Sequence, residues 1–222
     1  MVNKIIFFTI WVVFIGYGFL LAPPDNPETM DLIINLSKGS WDGINPYVIS
    51  LFNLMGILPM IYACLLLIDG RGQKLMVTPF MVGSFFLGAF SLLPYFALRE
   101  SNTTFTGEKT IFIKIVESKL TAIALIIGTT ILVVSAIKDG NVHDFIYQWQ
   151  NSKFIHVMSL DFCLLCLLFP VLIKDDLARR NINNLILRAI AFIPLFGTLI
   201  YMILRPSLST DETPNNSEVL AS

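Results

Sequence analysis

The pattern of hydrophobic and polar positions divides the chain into six long apolar stretches separated by polar segments. Each stretch is close to the roughly 17–25 residues that an α-helix needs to cross the hydrocarbon core of a bilayer. Because unpaired backbone amides are costly in lipid, these stretches are predicted to be helices. The sequence therefore predicts an all-α, polytopic membrane helical bundle with about six transmembrane helices, at residues 5–22, 47–68, 78–98, 120–137, 154–173 and 184–204.

Composition supports a membrane protein and excludes other classes. Hydrophobic residues make up 55% of the 222 positions and charged residues only 14%, with a mean hydropathy of +0.73. A soluble domain carries about 25% charged residues. The net charge is −1 and no basic stripe is present, which argues against nucleic acid as a partner. The expected partner is the lipid bilayer.

Two segments of the chain resemble each other in their polar positions as well as in their apolar ones. Residues 47–100 match residues 154–206 at an offset of 106, and residues 30–33 match residues 143–146 at an offset of 113. This similarity indicates either a duplicated segment or only the general likeness of apolar helices, which share a few residue types. The polar positions matched at the first offset are Asp69 with Asp175, Lys74 with Arg180, Tyr95 with Tyr201, and Arg99 with Arg205.

The matches predict one transmembrane domain over residues 1–206, with halves at about 5–100 and 120–206. Three crossings in each half would turn the second half over, which gives an inverted three-helix repeat. The arrangement depends on residues 120–137, because without that crossing the halves become parallel copies. Six Lys and Arg residues would fall on one side and eight on the other, so the positive-inside rule does not choose an orientation. Residues 207–222, rich in Ser, Thr, Asn and acids, are predicted to be a disordered polar tail.

Asp161 is the sharpest candidate for a functional side chain, because an acid inside an apolar span is a functional-site hypothesis by default. The alternative is that Asp161 is protonated, or bonds a neighbouring helix as structural glue. Asn53 lies at a comparable depth of the second span. In an inverted repeat, Asn53 and Asp161 would approach the midplane from opposite leaflets, where such carriers place their sites. Interhelical hydrogen bonding is the structural alternative for Asn53.

His156 and Arg188 complete the candidate intramembrane polar site. His156 is read either as an interfacial residue or as part of a proton relay, and Arg188 either reaches the interface with its long side chain or meets Asp161. Cys163 and Cys166 have the spacing of a redox motif, but no neighbouring base or cation would lower a thiol pKa, so packing is the favoured role. No catalytic, metal-binding or cofactor-binding pattern appears, and the protein is not expected to be an enzyme.

Four segments together resemble a family of integral membrane proteins from cyanobacteria and plastids. The resemblance covers roughly residues 10–206 and implies a thylakoid or plasma membrane of a cyanobacterium, or a plastid membrane. It implies no activity and no site residues. The segments are Gly43-Ile44-Asn45-Pro46, Leu51-Phe52-Asn53-Leu54-Met55-Gly56, Asp69-Gly70-Arg71-Gly72-Gln73-Lys74 and residues 154–163.

Two hypotheses of different classes follow from the sequence. The first is a small carrier or channel-like protein with Asp161 and Asn53 near a midplane site. The second is a non-catalytic scaffold or assembly factor that binds other membrane subunits, for example those of photosynthetic complexes. A carrier should have a polar pocket between the halves, whereas a scaffold should have a dry interior and an apolar groove facing lipid.

Overall fold

The structure, a computed structural model, describes residues 2–105 and 107–208, and this part of the chain is helical without strands. The predicted all-α class is confirmed. Within the described residues, four helices are long and apolar enough to cross a membrane, namely α1, α3, α7 and α9. The helices in chain order are α1 (Val2–Leu20), α2 (Thr29–Lys38), α3 (Pro46–Asp69), α4 (Thr78–Leu87), α5 (Ala89–Leu98), α6 (Ile111–Glu117), α7 (Lys119–Asp139), α8 (Val142–Asn151), α9 (Lys153–Arg179), α10 (Leu185–Ile190) and α11 (Phe196–Leu204).

The predicted third span, residues 78–98, is a helical hairpin rather than a crossing helix. The helices α4 and α5 have ten residues each, so each is about 15 Å long and reaches only about halfway through a bilayer. The chain reverses at Gly88, and Ser91 Oγ on the returning arm donates to the carbonyl of Phe80 at 2.9 Å. At the end of α5, Arg99 bonds to Asp69, the last residue of α3. We call α4 and α5 hairpin 1; both of its ends lie beside the C-terminus of α3.

The predicted sixth span, residues 184–204, also turns back on itself. The helix α10 ends at Ile190, and a turn through Leu195, which has a φ of 62°, leads into α11. Arg205 then bonds to Asp176 near the end of α9 at 3.2 Å, so the chain returns to the side from which it left. We call α10 and α11 hairpin 2. The prediction of six spans is therefore not confirmed: in the described part of the chain four helices are long and apolar enough to cross a membrane, and two of the six predicted segments are pairs of short helices.

The long central helices α3 and α9 lie side by side and run in the same direction. The rings of Phe52 and Phe154, both near their N-termini, have centroids 6.5 Å apart. The hydroxyl of Tyr62 donates to the Leu165 carbonyl in the middle of the pair. The C-termini meet where Arg179 bonds to Asp69 at 2.6 Å. The predicted inversion of the two halves is therefore not confirmed, because it would require α3 and α9 to run in opposite directions.

The remaining helices complete the bundle around α3 and α9. The helix α1 packs on α5, and α7 packs on both α3 and α11. The short helices α2 and α8 lie at the end of the bundle where α3 and α9 begin, and the two contribute Leu36 and Trp149 to one small apolar cluster. We call the end where α3 and α9 finish the ionic end, and the other the opposite end.

The segment between hairpin 1 and α7 lies at the ionic end. It contains the short helix α6 of seven residues, in which Ile113 is buried against Ile68 and Leu208. Of the predicted tail over residues 207–222, only Ser207 and Leu208 belong to the described residues. Residues 209–222 lie outside them.

Candidate functional site

A pocket of about 650 Å³ lies at the tip of hairpin 1, at the opposite end of the bundle. Its walls come from α1, α3, hairpin 1 and α9, so both central helices contribute to it. We call it the tip pocket. Most of its walls are apolar, and Phe19 and Phe86 at its rim are 79% and 84% exposed. The aromatic residues that line it are Phe19, Phe52, Phe85, Phe86, Phe90 and Phe154.

Asp161 lies in the wall of this pocket and is 5% exposed. Its Oδ1 accepts a hydrogen bond of 2.7 Å from the backbone N–H of Ala89, the first residue of α5. The first N–H groups of a helix have no partner inside the helix and carry a partial positive charge. Asp161 therefore accepts a hydrogen bond from a backbone N–H deep in the bundle, which would otherwise need a water molecule as its partner.

Gly88 makes this contact geometrically feasible. Its φ of 51° and ψ of −126° are close to those of the first central residue of a type II′ turn, where glycine is favoured. A Cβ atom at this position would overlap with the carboxylate of Asp161. Glycine suits this turn, because a side chain would strain the backbone here and displace the Asp161 carboxylate.

The structure does not bring Asn53 to Asp161. The amide of Asn53 donates to the Ile49 carbonyl of its own helix at 2.8 Å. Asn53 is three residues after Ser50, whose hydroxyl bonds to the Leu132 carbonyl of α7, and it is absent from the tip pocket. A shared midplane site of Asn53 and Asp161 therefore stays a prediction that no contact in the described residues supports.

His156 is buried in a clamp of two aromatic residues. Its ring stacks on Trp149 at a centroid distance of 4.3 Å, and its Nδ1 is 2.9 Å from the Trp149 carbonyl. Because a carbonyl only accepts, Nδ1 carries the proton, and Nε2 accepts from the Tyr17 hydroxyl at 2.7 Å. The clamp ties α1, α8 and α9 together.

Arg188 and the cysteines take no part in the tip pocket. Arg188 is exposed on α10 at the ionic end and does not meet Asp161. All three cysteines, which belong to the described residues, are free thiols; Cys163 is exposed, whereas Cys166 is buried. No group of three or more His, Cys, Asp or Glu residues in the described part of the chain could hold a metal ion.

A buried cluster of acids and arginines at the ionic end was not singled out as a site from the sequence. The cluster joins the C-terminal ends of α3 and α9 to the exits of both hairpins, and each member is at most 7% exposed. We call it the ionic cluster. The sequence feature that marks this cluster is a repeated Asp followed by a repeated Tyr-x-x-Leu-Arg, once in each half. Its members are Asp69, Arg99, Asp175, Asp176, Arg179, Arg180 and Arg205.

The same three side-chain types meet twice in the ionic cluster. At hairpin 1, Tyr95 and Arg99 both donate to Asp69, at 2.7 Å and 2.9 Å. At hairpin 2, Tyr201 and Arg205 both donate to Asp176, at 2.7 Å and 3.2 Å. The structural counterpart of Asp69 is thus Asp176 rather than Asp175. The two Asp residues are 107 positions apart, whereas the two Tyr residues are 106 apart, because α11 has nine residues and α5 has ten.

The ionic cluster continues into α6 through Glu117. Its carboxylate accepts from Arg180 at 3.0 Å and pairs with Lys109 at 3.0 Å, and it also accepts the backbone N–H of Leu208. Burial alone would raise the pKa of Glu117, but these three hydrogen bonds outweigh it and hold the pKa below its ordinary value. Glu117 thus fastens the chain after α11 to the ionic end.

Comparison with protein-family models, curated proteins and solved structures gives no match for this chain.

Proposed function

We propose that the protein is a small membrane carrier whose substrate site is the tip pocket. The observation that carries the proposal is the position of this pocket. It is bounded by both central helices at the opposite end, while the ionic end is closed by buried ion pairs. A carrier held open to one side has this distribution of space and packing, because its site must face one solution at a time.

The order of elements is the same in the two halves. Each consists of a long helix, a short helix at the opposite end, a second long helix and a re-entrant hairpin, in α1–α5 and α7–α11. The stacked rings of Tyr62 and Phe169, with centroids 4.3 Å apart, are equivalent positions at the offset of 107. We infer a parallel repeat with its axis along the membrane normal, an arrangement that several families of carriers use.

Two ion pairs of the ionic cluster connect one half to the other. Arg99 of the first half bonds to Asp175 of the second at 2.5 Å, and Arg179 of the second bonds to Asp69 of the first at 2.6 Å. Both pairs must break if the halves are to separate at the ionic end. Buried pairs of this kind suit a gate, since their interaction depends steeply on geometry.

We further propose that the ionic end faces the cytoplasm. Re-entrant hairpins return Arg99 and Arg205 to the side from which they left, so the 15 Lys and Arg residues divide as twelve at the ionic end and three at the opposite end. The positive-inside rule then gives a clear orientation. The three at the opposite end are Lys38, Lys138 and Lys153.

Cysteine labelling from each side of the membrane tests the carrier and its orientation together. In a chain with its own cysteines replaced by alanine, Gly56→Cys reports on the tip pocket, where a side chain has open space. Leu65→Cys reports on the buried seam nearer the ionic end. We expect a membrane-impermeant maleimide to label Gly56→Cys from the extracytoplasmic side only, and Leu65→Cys from neither.

Weakening the gate should change this labelling. Replacing Arg99 with Gln and Asp175 with Asn keeps the net charge and removes one pair between the halves, together with the ion pair of Arg99 with Asp69 inside the first half. We expect it to raise labelling of Leu65→Cys in inverted vesicles several-fold. Lys109→Gln, at the ionic end but outside the pairs between the halves, is the control and should have no effect. Unchanged labelling in the double variant would contradict a moving gate.

A scaffold or assembly factor is the second candidate, favoured by the dry seam between the central helices. Leu58, Leu65 and Leu165 along this seam are at most 1% exposed, and the rim of the tip pocket presents Phe19 and Phe86 outward. Affinity purification of the tagged chain from its native membrane in mild detergent tests this candidate. A stoichiometric membrane subunit that is lost on Phe86→Ser, but retained on Ile131→Ser at another exposed apolar position, would support it over the carrier.

A further inference from the structure

We propose that the tip pocket binds an organic cation with an apolar body, such as an aryl-alkyl amine, through the carboxylate of Asp161. This inference rests on the proposed function, because it names the substrate class of the same pocket. Three features of the pocket support it: the net charge of the lining, the Oδ2 atom of Asp161, and the aromatic walls.

The charges that line the pocket leave one acid without a counter-charge. Besides Asp161, the charged lining residues are Asp25 and Lys153, which form an ion pair of 2.9 Å with each other at the mouth. The lining therefore carries a net charge of −1 when Asp161 is ionised. A cationic ligand would neutralise it, whereas an anionic ligand would add a second like charge in a region of low dielectric.

Asp161 has capacity for a ligand in addition to its structural bond. Its Oδ1 is used by the Ala89 N–H, and no hydrogen bond within the described part of the chain reaches Oδ2. A carboxylate oxygen can accept more than one hydrogen bond, and an ammonium group only donates.

The walls suit the rest of such a ligand. Aromatic faces attract cations and pack against apolar groups, and six phenylalanines line this pocket. Asp161 lies eight residues after the start of α9 at Lys153, so it is about 12 Å along the helix from the mouth. A volume of about 650 Å³ is within the range of sites for small organic molecules.

Binding of three probes of similar size to the full chain in lipid nanodiscs tests the inference. The probes are 4-phenylbutylamine, 4-phenylbutanol and 4-phenylbutanoate at neutral pH, measured by calorimetry with empty nanodiscs subtracted. We expect the amine to bind at least about tenfold more tightly than the alcohol, and the carboxylate to bind most weakly. Asp161→Asn, which keeps an acceptor for Ala89, should reduce the preference for the amine to less than about threefold.

Two further variants keep the test decisive even if Asp161→Asn folds poorly. Gly56→Leu adds a side chain into open space of the pocket and should abolish binding of both the amine and the alcohol. Asp42→Asn removes an exposed acid that does not line the pocket and should change neither. Equal binding of amine and alcohol, or an amine preference that persists in Asp161→Asn, would overturn the inference.

The outcome is separable from that of the proposed function, because binding requires no movement of the halves. If the amine binds but Leu65→Cys labelling does not change in the gate variant, the binding site is supported and the carrier function is contradicted. If the labelling shows a moving gate but the amine is not preferred, the carrier function is supported and this substrate class is contradicted.

Discussion

Replacing Asp176 with alanine is expected to lower the free energy of unfolding by about 3–5 kcal/mol, the usual cost of removing one partner from a buried ionic group. Asp176 is fully buried and accepts from Arg179, Arg180 and Arg205, all within 3.2 Å. It also accepts from the Tyr201 hydroxyl. Without the acid, the guanidinium groups remain buried with fewer acceptors, and the exit of hairpin 2 loses its attachment to α9.

Unfolding of the purified protein in mixed micelles, followed by circular dichroism, measures this effect. Asp176→Asn should be less damaging than Asp176→Ala, because the amide oxygen still accepts a hydrogen bond and the volume is conserved. Asp42→Ala, at an exposed position, is the matched control and should shift stability by less than about 0.5 kcal/mol. A loss of less than about 1 kcal/mol for Asp176→Ala would mean that the arginines find water or other partners.

The second large effect is expected from Gly88→Ala at the tip of hairpin 1. Alanine at a φ of 51° and ψ of −126° is strained by about 1–3 kcal/mol. In addition, its Cβ would overlap with the Asp161 carboxylate, so the bond from Ala89 must lengthen or break. We expect a loss of stability at the upper end of this range or beyond, together with loss of probe binding in the tip pocket.

A double variant separates the two causes. In an Asp161→Ala background the overlap is gone but the backbone strain stays, so Gly88→Ala should cost less there and still more than about 1 kcal/mol. Gly16→Ala in α1, where an added Cβ meets no atom within 4 Å, is the control and should be neutral or slightly stabilising. A neutral Gly88→Ala would contradict a fixed turn at the hairpin tip.

The candidate site was predictable in part. Asp161 stands out because a carboxylate inside an apolar run is rare and costly, and its contact with the N-terminus of α5 gives that acid a physical role. The prediction for Asn53 depends on its depth in the span, and depth does not specify which face of a helix a residue occupies or which neighbour it meets. The members of the ionic cluster appear in the sequence as repeated polar positions. They bond to groups as far as 141 residues away in the sequence, so the sequence spacing does not predict that they meet.

The sequence by itself determined that the chain is helical and apolar enough for a membrane, because composition and segment length set the transfer free energy of each stretch. It also marked the turn and exit positions that recur in the two halves. Only the tertiary structure decided which stretches form one long helix and which fold into two short ones. A hydropathy window sums the transfer free energy of 21 residues whether they form one straight helix or two short ones that reverse at Gly88. The reversal is held by contacts distant in sequence, Ala89 with Asp161 and Arg99 with Asp69. With hairpin 2 turning back in a similar way, four helices in the described part of the chain are long and apolar enough to cross a membrane.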